Sequence, residues 1–295
     1  MTDHHCSLCS VLSVANNLMN KREIKVAHSP DSDDAFMFYA LATHKIDTGD
    51  RNYIHLLNDI ETLNRKALEG EYEVSAISFH AYAYMADKYA LLSCGASMGN
   101  NYGPIVVSTK PMSPESLGGK VVAVPGLLTT AFLALRLFAP DVKYEVVHFD
   151  RILEEVQKGK YEAGLLIHEG QLTYREMGLH KVVDLGEWWR ERCQLPLPLG
   201  GNVIKRSLGP QLMEQVSKDI KRSIQYGLDH REEAIDYAIQ FSRGLDLQKA
   251  DRFIGMYVNE LTLDYGDDGR QAVRLLLSEA HKQNIIPKNV DLEFV

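Results

Sequence analysis

From Ile24 onward, short apolar runs alternate with stretches whose apolar residues recur every three or four positions, the pattern of an α/β protein. Residues 24–27, 74–77, 104–108, 121–124, 146–148 and 163–167 read as strands. After the first of them, Phe36, Tyr39 and Ala40 fall at i, i+3 and i+4, with Phe38 and Leu41 beside them. This predicts a helix with a broad apolar face and Asp34 at its N-cap. A second helix is predicted over 59–68, with Ile60, Leu63 and Ala67 on one side and Gly70 as its stop. Residues 129–138 and 150–159 follow the same periodicity, and beyond Pro210 the pattern is helical over 210–226, 231–241, 247–260 and 267–283. Residues 195–202 hold Pro196 and Pro198 followed by Gly200 and Gly201, which predicts a stiff connection that helix cannot enter.

This order suggests two lobes. A chain of 295 residues exceeds the size at which one hydrophobic core grows comfortably. The expected division is a tail over 1–23, a first lobe made of 24–107 and 200–295, and a second lobe inserted over 108–199. Two crossing segments make a hinged pair with a cleft between them, an architecture that captures a ligand and excludes water when it closes.

Composition narrows the partners. The formal net charge of -8 and pI near 5.8 exclude a nucleic-acid partner, which needs concentrated basic surface. No stretch has the roughly 20 apolar residues that span a bilayer, and the first 20 residues lack a basic start and an apolar core segment, so a cytoplasmic location is expected. A small anion remains compatible, because backbone amides and hydroxyls in a pocket bind one whatever the overall sign. Cys6 and Cys9 form a C-x-x-C beside His4 and His5, but no second ligand pair follows at finger-like spacing, so no metal site is expected.

The candidate chemistry falls just after strands. Residues 163–167 stop at His168, Glu169 and Gly170, and in open parallel sheets ligands sit beyond the carboxyl ends of the strands. Histidine exchanges a proton near neutrality; the alternative is an imidazole that only caps the strand. Thr129 and Thr130 open the 129–138 helix, where an anion docks at the positive helix end, or where Thr129 simply caps it. Ser78 ends another strand. Asp31, Asp33 and Asp34 lack the later glycine and bidentate glutamate of a calcium loop, which leaves Asp31 and Asp33 as polar contacts. There is no G-x-S-x-G elbow, no phosphate-binding glycine loop and no H-E-x-x-H helix.

Taken together, residues 29–36 (SPDSDDAF), 75–78, Pro125-Gly126 with 129–131, and above all 164–174 (GLLIHEGQLTY) resemble the MqnD branch of menaquinone-biosynthesis enzymes, the 1,4-dihydroxy-6-naphthoate synthases of the futalosine pathway. The resemblance spans about 24–295. It implies a two-lobed, periplasmic-binding-protein-like (type II) α/β fold with a central cleft and a helical C-terminal part. It also implies a carbon-carbon lyase that splits cyclic dehypoxanthinyl futalosine into dihydroxynaphthoate and dihydroxyacetone without a cofactor. By matching position, His168 would be the proton acceptor, and Ala76, Ile77, Ser78, Thr129 and Thr130 would bind the anionic substrate. The first loop departs from the family's S-P-x-x-N-D: Asp33 stands where the asparagine would be, an acceptor-only carboxylate in place of an amide donor. Two rivals follow from the same features, a solute-binding protein for a small anion and chorismate dehydratase of the same pathway.

Overall fold

A computed structural model describes residues 21–242 and 244–295; the Cys6–Cys9 pair lies outside them. Two sheets organise the chain. The first contains β1 (Arg22–His28), β2 (Arg51–Leu57), β3 (Val74–Ser78), β4 (Tyr89–Leu91) and β5 (Ser97–Gly99). The second contains β6 (Ile105–Ser108), β7 (Val121–Val124), β8 (Lys143–Val146), β9 (Ala163–Leu166) and β10 (His180–Asp184), and β11 (Leu197–Lys205) returns to the first. In the first sheet β1 runs parallel to β2 and β3, while β11 lies antiparallel to β3, β4 and β5. In the second, β7 runs parallel to β8 and β9, and β6 lies antiparallel between β9 and β10. β3, β6 and β9 are buried along their whole length, as their unbroken apolar or small-residue runs require.

Three elements differ from the sequence expectation. Ile105–Ser108, expected to end the first lobe at residue 107, pairs with β9 and β10 instead, so the chain crosses between the sheets over 100–104. The segment 195–202 is not a mere connection: from Leu197 it is a nine-residue strand, whose register shifts between Pro198 and Gly200. A bulge tolerates a proline that an unbroken ladder would reject. The strand expected at 146–148 occupies Lys143–Val146, an exposed edge whose polar alternation weakens its apolar signal. The helices 170–173 and 185–193 and the strand β2 were also not apparent from the pattern.

The crossings pack tightly because glycines let backbones meet. A Cβ on either Gly99 or Gly186 would lie 1.9 Å from the Tyr102 carbonyl oxygen. Leu185 N–H then donates to the Pro104 carbonyl at 2.9 Å, tying the first crossing to the helix that leads into the second. Among the described residues, no helix is long and apolar enough to cross a membrane.

Candidate functional site

Between the two sheets lies a cavity with about 760 Å³ of unfilled space, part of it open to solvent. Asp31, Asp33, Ala76, Ile77, Ser78, Thr129, Thr130 and His168 all line it. These residues come from distant parts of the chain, yet each lies in the last residues of a strand or in the segment after one, and the two sheets present those ends to one space.

The first-sheet wall is built from local hydrogen bonds. Ser78 ends β3, where its N–H donates to Asn64 Oδ1 at 2.8 Å and its Oγ accepts from Asn64 Nδ2 at 3.1 Å. Asn64 is fully buried on the 60–69 helix, so this two-way bond holds Ser78 in one orientation. Ala76 and Ile77 sit beside it, paired with Asn202 and Gly201 of β11. Asn202 is buried and donates from Nδ2 to the Gly95 carbonyl at 3.1 Å.

The 129–131 corner comes from the second sheet. Thr129 Oγ1 accepts from the Phe132 N–H at 3.1 Å and donates to the Gly126 carbonyl at 2.9 Å, so this hydroxyl is engaged as a helix cap. Thr130 Oγ1 accepts from the His80 N–H at 3.3 Å. The first-turn amides of the 130–138 helix supply the positive end of its dipole at the cavity wall. Among the described residues, no lysine or arginine lines the cavity, so an anion held by them would rely on such amides and hydroxyls.

The acidic loop behaves differently from its sequence reading. Asp31, not Asp34, occupies the N-cap position of the 32–42 helix. Asp34 lies within the first turn, and its Oδ2 accepts from the Ser29 N–H at 2.7 Å, serving the loop that precedes the helix rather than the helix amides. Asp33 lines the cavity half-buried. Burial, and then the negative charges of Asp31 and Glu169, push its carboxyl up to about 7 against the opposing pull of His168. Burial, and then the negative charges of Asp33 and Asp31, hold Asp34 well above the usual range.

His168 joins this loop to the second sheet. β9 ends at Leu166, and His168 takes φ +60°, the left-handed region that a side chain enters at a cost of about 1–2 kcal/mol. Its Nδ1 lies 3.0 Å from Asp31 Oδ2, with the histidine side chain 16% exposed and the aspartate 2%. The Phe149 ring meets the imidazole edge-on at 4.9 Å between centroids. With Nδ1 turned to a carboxylate, the ring has a neighbour that stabilises its protonated form.

Gln171, Phe253, Tyr257 and Asn202 also line the cavity, beyond the candidates that motif and strand-end position mark. Gln171 lies within the 164–174 segment and was within reach of that signal. Tyr257 and Asn202 carry no local mark, since a tyrosine in an apolar helix and an asparagine after two glycines read as core and turn.

A sequence profile for a family described as menaquinone biosynthesis matches residues 24–282. The chain is 40% identical over 262 residues to a 1,4-dihydroxy-6-naphthoate synthase of Thermus thermophilus, covering 89% of this chain and 95% of that protein. A solved Archaeoglobus fulgidus protein superposes with a TM-score of 0.86 at 48% identity, covering 90% of this chain and 98% of that one. A Candida albicans protein described as having the generic periplasmic-binding-protein fold superposes at 0.65 with 12% identity over 92% of this chain and 98% of that one. At that identity the likeness concerns architecture, which is periplasmic-binding-protein-like here as well.

Proposed function

Because the chain belongs to the menaquinone-biosynthesis family and is an enzyme of its 1,4-dihydroxy-6-naphthoate synthase branch, we propose that it splits cyclic dehypoxanthinyl futalosine into 1,4-dihydroxy-6-naphthoate and dihydroxyacetone, with His168 as the base. The observation that carries this reading is the 3.0 Å contact between His168 Nδ1 and Asp31 Oδ2 at a cavity shared by the two sheets. A base needs a fixed orientation and a partner for the charge it gains, and Asp31 supplies both.

His168 Nε2 takes a proton from the sugar-derived ring. The bond to the three-carbon fragment breaks as the carbocycle becomes aromatic, and the proton returns to the departing fragment. Aromatisation drives the step, so the protein positions the ring, moves one proton and excludes water. The substrate carboxylate docks at the amides of the 130–138 helix start, beside Ser78 and Thr130. Asp31 and Asp33 face the other end, where the substrate offers hydroxyl donors.

Incubating the purified protein with cyclic dehypoxanthinyl futalosine and, separately, with chorismate, and resolving the products by mass spectrometry, tests the reading. Dihydroxynaphthoate from the first substrate alone is expected. Dehydration of chorismate, or tight binding of the cyclic compound with no product, would replace the lyase with the dehydratase or with a binding protein.

A further inference from the structure

We propose that Tyr257 is a positioning residue which, through Gln171, holds the His168 turn in its working shape; this rests on the reading of His168 as the base. Gln171 belongs to the same turn as the histidine, since its N–H donates to the His168 carbonyl at 3.2 Å. Its side-chain Oε1 accepts from the Tyr257 hydroxyl at 2.8 Å. That hydroxyl arrives from the 247–257 helix, which packs on the first sheet's side of the cavity, whereas Gln171 follows β9 of the second sheet.

The tyrosine is itself held firmly. It is 4% exposed, and its ring meets Tyr102 and Phe253 edge-on at centroid distances of 5.7 and 5.1 Å. Its carbonyl accepts from Thr262 Oγ1 at 2.8 Å. Tyr102, on the first crossing segment, donates its hydroxyl to the Met256 carbonyl next door. Tyr257 is thus fixed to the helix and to the crossing before it reaches Gln171.

The need for such a hold follows from the backbone. A histidine at φ +60° is not where a free chain rests, so contacts from outside the turn must select that geometry. Two contacts from the first sheet's side do so, Asp31 on the imidazole and Tyr257 on Gln171. Both cross the cleft, so separation of the two sides breaks them together, and the base is assembled only when the cleft is closed. Another crossing pair near this turn, Lys249 with Glu176 at 2.7 Å, is solvent-exposed and contributes little.

Tyr257→Phe removes the hydroxyl and keeps the ring; Gln171→Met removes its acceptor. Each single variant should lower kcat about tenfold with KM within about twofold, and the double variant should lose no more than either single, because one contact is being removed. A readout without substrate separates this inference from the lyase reading: in protein with 15N-labelled histidine, the His168 Nδ1 signal should shift or broaden in both single variants. Unchanged kcat and unchanged imidazole signal, or additive losses in the double variant, would overturn the inference. A wild-type protein without turnover whose His168 signal still responds would retain the positioning role and overturn only the lyase reading.

Discussion

Thr129 and His168 both follow strands of the second sheet and both line the same cavity, yet they are held in opposite ways. Thr129 is set by its neighbours: three residues on, Phe132 gives it an amide, and three residues back, Gly126 takes its proton. His168 is set by residues 137 and 89 positions away, through Asp31 directly and Tyr257 by way of Gln171. The two bonds of the Thr129 hydroxyl close within the second sheet's side, although His80 reaches the neighbouring Thr130 from the other. The second is made of contacts between the two sides, so any movement of one against the other would disturb the histidine before the Thr129 cap.

The comparison breaks most sharply at the histidine. His168→Ala should lower turnover of cyclic dehypoxanthinyl futalosine by about 10²–10⁴-fold, the usual worth of a positioned base, while substrate affinity by calorimetry stays within a few fold. Wild-type turnover would remove the imidazole from the reaction. Next in size is Asp31→Asn, which keeps the shape and removes the charge; kcat should drop about 10- to 100-fold with KM nearly constant, since the neutral amide stabilises the imidazolium less. A change confined to KM would leave Asp31 a substrate ligand with no part in supporting the base.

Thr129→Ala should act on the other side of the contrast, lowering stability by about 1 kcal/mol through the lost cap, a fall of about 2–4 °C in the thermal midpoint, with kcat little altered. A raised KM at an unchanged midpoint would reverse that assignment and make Thr129 a ligand, as its position first suggests. A last test concerns Asp33 and is read only through pH. Its carboxyl ionises near 3.9 in an unfolded chain and near 7 here, so the folded protein binds more protons between those values. Stability therefore falls as pH rises from about 4 to about 7 and stays lower above it. Asp33→Asn, which cannot ionise, should gain midpoint relative to wild type at pH 8 and lose that gain near pH 4; equal differences at both pH values in scanning calorimetry would refute the shift.

Buried histidines oppose that trend. Burial and the neighbouring His55 hold His28 at about 3, and burial holds His55 at about 4, with His28 Nε2 3.1 Å from His55 Nδ1. These rings stay neutral in the folded protein and gain protons on unfolding, so their contribution to stability is lost as pH falls below about 6.5.

Periodicity and turn chemistry alone determined most strands and helices, because burial demands apolar residues at fixed intervals and caps demand particular side chains within three positions. Hence Asp59, Gly70 and Thr129 were legible as helix boundaries, and each carries the geometry its residue type implies. The same local logic placed His168 and Ser78 at strand ends. It misplaced the cap of the first helix at Asp34, since either aspartate satisfies a local pattern and only the Ser29 amide and the approaching imidazole separate their roles. Which sheet received 105–108 was also beyond it, because a strand's partners are chosen by the whole sheet. Tertiary structure alone decided that Asp31 meets His168 and that Tyr257 reaches Gln171. Such pairs join residues whose separation in the chain carries no periodic signal, and their energy appears only after both sides have folded and closed.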